Sequence, residues 1–115
     1  MKPTVEGRLE HIRDAIADLR DLLAGKSFED FAKERHTRRA AERYFEIISE
    51  ASRSIPNDAK ARHPEVAWKD VAGIGNVIRH DYHKVKAGPV WEAYRHDLDV
   101  LLAAVDSISA NLRQK

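Results

Sequence analysis

The chain has no cysteine among its 115 residues. Disulfide frameworks, thiolate zinc sites, iron–sulfur clusters and cysteine nucleophiles are therefore excluded. Long apolar runs are also missing, since charged residues interrupt every window that approaches the roughly 20 apolar residues of a membrane-spanning helix. Glu6, Arg8 and Glu10 break any apolar signal segment near the start. We therefore expect a cytoplasmic protein with no membrane segment.

An excess of charge of one sign is lacking too. The 20 Lys and Arg residues are balanced by 19 Asp and Glu residues, which gives a formal net charge of +1. This balance argues against a protein that binds nucleic acid by bulk charge and leaves only a locally basic groove. With 43% hydrophobic residues the chain can build a core, and its length suits one domain covering residues 1–115.

No segment alternates with period two, so the sequence predicts helices and no sheet. The first apolar stripe has helical steps of three and four and consists of Val5, Leu9, Ile12, Ile16, Leu19, and Leu22 or Leu23. Gly25 is predicted to end this helix in a left-handed conformation. Ser27, with Asp30 three positions later, has the pattern of a capping box that starts the next helix.

Three further helical segments follow at the same spacing. The second runs from Phe31 to Ala51 and is stopped by Ile55-Pro56, because proline disfavours a helical residue before it. The third begins near Glu65 or Ala67, after a short extra turn, and the last runs from Pro89 to Leu112. We predict an all-α protein, an antiparallel four-helix bundle with short extra helical turns. Because such helices make a thin bundle, we expect it to form a dimer along one side, with apolar surface left over on the last helix.

Side chains able to take part in catalysis or binding are concentrated in residues 76 to 84. His80 is a candidate acid or base near neutral pH. Asn76 lies one helical turn before His80, and Tyr82 offers a hydroxyl that can be hydrogen-bonded, stacked or modified. Arg79 and Lys84 are candidate phosphate ligands, Arg as a fork and Lys as a point charge.

Ordinary structural explanations compete with these assignments. A His and a Tyr at a helix end can simply cap carbonyl groups and favour the negative end of the helix dipole. A metal site made of His80, Asp81 and His83 is disfavoured, because their spacing does not suit one helical face. A charged group on the second helical segment resembles a solvated face, with a nucleic-acid groove as the lesser alternative; it comprises Arg38, Arg39, Glu42, Arg43 and Glu46.

The order of several motifs resembles the HepT-like branch of the HEPN superfamily, the toxin half of bacterial HepT–MntA toxin–antitoxin pairs. The matching pieces are the helix from Arg39 to Ala51, Ile55-Pro56, Pro64 to Ile74 with Trp68 and Gly73, Asn76, His80-Asp81-Tyr82, and Val90-Trp91. The resemblance extends from about Leu9 to Leu102. As a set, this series is more specific than any one of its pieces.

The resemblance implies an all-α homodimer that cleaves RNA without a metal or other cofactor, at a site where the motifs of two subunits meet. In this family an Arg binds the phosphate, a His four to six residues later performs acid–base chemistry, and a Tyr follows two residues after that. Here the His is His80 and the Tyr is Tyr82, and Asn76 matches the polar position after the motif Arg. The partner antitoxin, an MntA-like minimal nucleotidyltransferase, is expected to transfer AMP to Tyr82.

The motif Arg should stand five positions before His80, where this chain has Gly75. Arg79 is adjacent to His80, and adjacent helical residues point about 100° apart, so we expect that Arg79 cannot replace it without rearrangement. Arg79 of the other subunit, His83 or Lys84 remain as alternative phosphate ligands. Alternatively the domain has lost cleavage and keeps only binding, and Gly75→Arg would then be an informative gain-of-function test.

Three functions are consistent with these residues. The first is a toxin-type ribonuclease that works through His80, Arg79 and Asn76. The second is a catalytically degenerate HEPN domain that binds a nucleotidyltransferase, RNA or a nucleotide without cleavage. The third is a structural helical dimer with no site.

Overall fold

The computed structural model describes residues 4–80 and 86–114, with only the backbone of His80. These residues form seven α-helices and no strand, which confirms the all-α class for the part of the chain described. The helices, in chain order, are α1 (Val5–Leu23), α2 (Phe28–Lys33), α3 (Arg35–Ser52), α4 (Asn57–Ala61), α5 (Trp68–His80), α6 (Ala87–His96) and α7 (Leu98–Arg113).

Helix α1 lies against both α3 and α7, and α3 in turn packs against α5. The apolar stripe of α1 provides much of the core, and its buried members are Leu9, Ile12, Ile16, Leu19 and Leu23. The sequence allowed either Leu22 or Leu23 as the last member of this stripe. Leu23 is that member, since only 1% of its surface is exposed. Burial of each such side chain contributes about 1.5–3 kcal/mol.

The turn between α1 and α2 follows the sequence prediction. Gly25 has a φ of +75°, a left-handed conformation that costs glycine little because it has no Cβ. The backbone N–H of Asp30 donates to Ser27 Oγ at 3.1 Å, and the backbone N–H of Ser27 donates to Asp30 Oδ2 at 3.1 Å. The second of these bonds holds the pKa of the Asp30 carboxyl below its usual range.

The second helical segment is divided, which corrects the prediction of one stretch from Phe31 to Ala51. Glu34, with φ −89° and ψ 90°, separates α2 from α3. Its carboxylate accepts hydrogen bonds from Lys26 Nζ at 2.7 Å and Thr37 Oγ1 at 2.9 Å. The bond from Lys26, followed by that from Thr37, lowers the pKa of Glu34.

The last segment is divided as well, so the prediction of one helix from Pro89 to Leu112 is wrong. Asp97 lies between α6 and α7. Helix α6 packs against α2, where the Trp91 and Phe31 rings lie 5.3 Å apart, whereas α7 packs against α1. The two halves therefore have different partners. Among the described residues, no helix is both long enough and apolar enough to cross a membrane.

Candidate functional site

The predicted site residues lie at the end of α5 and directly after it. Asn76 and Arg79 are exposed on the last turns of α5, and His80 is its final residue. The side chain of His80 lies outside the described part of the chain. So do Asp81, Tyr82, His83 and Lys84, which therefore remain predictions from the sequence.

A pair of hydrogen bonds marks the start of α5, and a buried side chain near its end shows which side of the helix faces the core. At its start, Trp68 Nε1 donates to the carbonyl oxygen of His63 at 3.0 Å and to that of Lys60 at 3.2 Å. Near its end, Ile78 is buried with 3% exposure. Because residues one and two positions from Ile78 point about 100° and 200° away from it, its burial leaves Asn76 and Arg79 at the surface.

Gly75, at the position of the expected motif Arg, is a point of close approach between α3 and α5. Its N–H donates to Ser49 Oγ at 3.2 Å, and that hydroxyl donates to the carbonyl oxygen of Ala72 at 2.6 Å. A Cβ added to Gly75 would lie 2.5 Å from Ser49 Oγ and 2.8 Å from Ser49 Cβ. Any side chain at this position therefore requires Ser49 or the helices themselves to shift. Gly75→Arg, which the sequence suggested as a gain-of-function test, therefore does not simply restore the motif, because it also disturbs this contact.

Arg79 lies four residues after Gly75, so both are on the same side of α5, one turn apart. Helical side chains lean toward the N-terminus of their helix, and Arg79 does so: its Nη2 donates to Asn76 Oδ1 at 2.6 Å. Along the helix axis, the guanidinium of Arg79 therefore extends back toward Gly75, the residue before Asn76. The sequence argument compared Arg79 with its neighbour His80 and overlooked this i, i+4 relation to Gly75.

A cleft between α3 and α5 lies beside this turn. Its volume is about 270 Å³, and it is lined by Arg39, Glu42, Glu46, Ile78 and Arg79. The α3 residues among them were expected to form a solvated face. Only 8% of the Glu42 side chain is exposed, however, and Arg39 Nη1 donates to its Oε1 at 2.9 Å.

Sequence reasoning missed the burial of Glu42, although the residues around it contained a signal. Ala41, Phe45 and Ile48 face the core from α3, and Glu42 adjoins that stripe rather than opposing it. Ionised carboxylates are almost never buried without a partner, so a Glu beside an apolar stripe with an Arg three residues earlier predicts a partly buried pair. Among the described residues, no group of three or more His, Asp or Glu side chains lies close enough to hold a metal ion.

A family model described as "Ribonuclease HepT-like" matches residues 12–108. The chain belongs to the HepT-like ribonuclease family. It is 36% identical over 101 residues to a protein of Thermococcus cleftensis named "Probable ribonuclease HepT". The matched region covers 88% of this chain and 92% of the relative. It is 35% identical over 100 residues to a protein of Caldanaerobacter subterraneus subsp. tengcongensis named "Putative RNase TTE0752", covering 87% and 89%. No solved structure matches the chain.

Proposed function

We propose that this chain is a HepT-like toxin, a metal-independent endoribonuclease that acts in the cytoplasm as an antiparallel HEPN-type four-helix bundle and a homodimer. The observation that carries the proposal is the hydrogen bond from Arg79 to Asn76. It brings a guanidinium back over the turn where the family has its motif Arg, next to a cleft between two helices. Membership of a ribonuclease family makes RNA the substrate class.

The reaction that suits these residues uses the RNA as its own nucleophile. The 2′-hydroxyl of one nucleotide loses its proton and attacks the adjacent phosphorus, and the bond from phosphorus to the 5′-oxygen of the next nucleotide breaks. His80 of one subunit accepts the proton of the 2′-hydroxyl, and His80 of the other subunit or a water gives a proton to the leaving 5′-oxygen, so the products are a 2′,3′-cyclic phosphate and a free 5′-hydroxyl. Arg79, oriented by Asn76, binds the phosphate as negative charge accumulates on it. His83 and Lys84 are additional phosphate contacts in the segment that follows.

The proposed dimer forms across an apolar cleft on the opposite side of α5. This cleft has a volume of about 610 Å³ and reaches from α5 to α7. Val77 and Val100 on its walls are 52% and 41% exposed, so both apolar side chains are available for a contact with a second copy. Val77 follows Asn76 directly, so a two-fold contact here would bring the α5 ends of both copies close together. That proximity is what a composite site needs.

Cleavage of single-stranded RNA in the presence of a chelator tests the proposed activity. We expect the wild-type protein to cut RNA, and His80→Ala to abolish cutting while the oligomeric state, measured by light scattering, stays the same. A 2′-deoxy substitution at the cut position is expected to block cleavage, because it removes the nucleophile. An intact RNA after incubation with wild-type protein, with or without divalent metal, contradicts the proposal.

The proposed regulator is an MntA-like minimal nucleotidyltransferase antitoxin that transfers AMP to Tyr82. Tyr82 lies two residues after His80, so an added nucleotide would occupy the space that RNA needs. We expect co-expression with such a transferase to raise the intact mass by one or more AMP units, and Tyr82→Phe to prevent the increase. An unchanged mass beside a transferase that is active on other substrates would rule this step out.

A second candidate function is a degenerate HEPN domain that binds RNA, a nucleotide or a nucleotidyltransferase partner without cleavage. The observation that favours it is the contact of Gly75 with Ser49, which leaves no space for a motif Arg side chain. Under this alternative the wild-type protein binds RNA and never cuts it. The chelator experiment above therefore distinguishes the two functions when binding is measured on the same sample.

A further inference from the structure

The cleft between α3 and α5 has a second guanidinium, which lies outside the Arg–His–Tyr motif. Arg79 borders it from α5 and Arg39 borders it from α3. The two arginines are separated by 40 positions in sequence, so the packing of α3 against α5 is what brings them to one opening.

Burial separates the charges of this cleft by sign. The side chains of Glu42 and Glu46 are 8% and 23% exposed, whereas that of Arg39 is 41% exposed and Arg79 is also exposed. Glu46 has Arg43 Nη1 within 3.8 Å as well. Acidic groups therefore line the inner wall and basic groups the rim, so an anion approaching from solvent meets positive charge first.

Glu42 orients Arg39. A buried carboxylate requires a charged or hydrogen-bonding partner, and the 2.9 Å bond from Arg39 Nη1 provides one. The bond fixes one terminal nitrogen of a planar group that has five N–H donors in a rigid fork. A guanidinium held in this way loses less conformational freedom when it binds an anion, which is the benefit of preorganisation.

We propose that Arg39 is a second phosphate-binding residue of the RNA site, and that Glu42 is its positioning residue. The inference rests on the proposed function, since the ligand is a phosphodiester of single-stranded RNA. Arg39 and Arg79 together supply the positive charge that a motif Arg at position 75 would supply in other family members. The closed contact between Gly75 and Ser49 explains why the charge has to come from neighbouring positions.

Binding of a fully 2′-O-methylated single-stranded RNA, which cannot be cleaved, tests this assignment. We expect Arg39→Gln to weaken binding by about tenfold, because a hydrogen bond between charged groups contributes on that scale. The salt slope should also fall by about 0.7, the value for one phosphate contact on a single strand. The matched control is Arg35→Gln, which removes the same charge one turn earlier on α3 and outside the cleft. We expect it to change affinity by less than about threefold.

A double-mutant cycle tests the role of Glu42. Since Glu42 acts through Arg39, Glu42→Gln should weaken binding in the wild-type background and have no further effect in the Arg39→Gln background. A purely structural Glu42 would lower affinity equally in both backgrounds, through loss of folded protein. Thermal unfolding of all four proteins identifies that case.

The outcomes separate this inference from the proposed function. If the wild type binds RNA without cutting it and Arg39→Gln still weakens binding, the cleavage proposal fails and the Arg39 assignment stands. If the wild type cuts RNA and Arg39→Gln matches Arg35→Gln in affinity and rate, the assignment is overturned and the cleavage proposal stands. If Arg39→Gln and Arg35→Gln lose RNA affinity equally, the RNA is attracted by overall charge and not by Arg39 in particular, which also overturns the assignment. An absence of any RNA binding overturns both.

Discussion

Two glycines of α5 occupy very different surroundings. A Cβ at Gly75 would lie 2.5 Å from Ser49 Oγ, whereas a Cβ at Gly73 would meet no heavy atom within 4 Å. The two residues are about 200° apart around the helix, so only one of them can face α3. Gly75 therefore allows close approach of two helices, and Gly73 has no such role in the described part of the chain.

The first prediction concerns these two positions. Gly75→Ala should destabilise the protein, because overpacking costs about 1–3 kcal/mol and exceeds the gain of about 1 kcal/mol in helix propensity. Gly73→Ala, the matched control, should stabilise it by up to about 1 kcal/mol, because its Cβ meets open space. Urea unfolding monitored by circular dichroism measures both. A Gly75→Ala protein as stable as Gly73→Ala contradicts this description of the contact.

The second prediction is a rescue. Both atoms that a Cβ at position 75 would overlap belong to the Ser49 side chain, and the next nearest atom, Glu46 Cα, is 3.9 Å away. Ser49→Gly alone should cost about 0.5 kcal/mol in helix propensity and also lose its two hydrogen bonds. In that background Gly75→Ala should no longer destabilise, which a double-mutant cycle of unfolding free energies would show. If the two losses of unfolding free energy are additive, the Cβ at position 75 does not overlap the Ser49 side chain.

At the scale of single elements, apolar periodicity predicted where helices exist better than where they break. Helix α1 and the capping box at Ser27 follow local rules, so the sequence was sufficient for them. The breaks at Glu34 and Asp97 contain neither glycine nor proline. Asp is a residue type common at helix starts, but the side chain of Asp97 makes no capping hydrogen bond, so the local signal there is weak. The breaks arise because α2 packs against α6 while α3 packs against α1 and α5. Such tertiary contacts are not encoded in the residues at the break.

The third prediction concerns the junction at Glu34. Its pKa in the folded state lies below its ordinary value of 4.5, mainly because of the hydrogen bond from Lys26. The unfolded chain therefore binds the proton more tightly, so the stabilisation is complete above about pH 4.5 and is lost as the pH falls through the lower folded-state pKa of Glu34. Glu34→Gln should lower the melting temperature at neutral pH and reduce the further loss between neutral pH and about pH 3.

The control for this prediction is Glu50→Gln, which removes an exposed carboxylate from the far end of α3. Its melting temperature should depend on pH as the wild type's does. If Glu34→Gln and Glu50→Gln have the same pH profile, the hydrogen bonds at the junction contribute nothing measurable to stability.

At the scale of the whole molecule, the described chain is elongated, with principal extents of 47 × 29 × 29 Å. The sequence predicted a thin bundle with apolar surface left on the last helix. Val100 of α7 agrees with that expectation, whereas the exposed Val77 of α5 was not foreseen. Val77 appeared in a polar stretch of sequence, and only the packing of α5 shows which of its sides remains uncovered.

The fourth prediction tests the proposed dimer. Val77→Glu combined with Val100→Glu should convert the protein to a monomer, because each subunit would place two charges in an apolar contact. Cleavage should be lost with the dimer if the site is composite. Ala17→Glu on the exposed face of α1 is the control and should leave both properties unchanged. Sedimentation velocity measures the oligomeric state, and a double variant that remains dimeric would exclude this surface.

Like the fold, the candidate site was predictable only where residue type and local spacing are informative. The sequence identified Asn76 and Arg79 because their residue types are chemically informative and lie close to His80. The spacing of Arg39 and Glu42 beside an apolar stripe signals a pair, whereas the depth at which Glu42 is buried depends on how α3 meets the core. The return of Arg79 toward Gly75 depends on a rotamer, which spacing alone does not determine.

The central claim is that Arg79 provides the phosphate contact that Gly75 cannot provide. The single-turnover rate of RNA cleavage by Arg79→Gln, beside wild type and Arg35→Gln, tests it most directly. We expect Arg79→Gln to lower the rate by about 100-fold or more, the usual effect of removing one transition-state donor, and Arg35→Gln to stay close to wild type. Cleavage by Arg79→Gln at the wild-type rate would contradict the account.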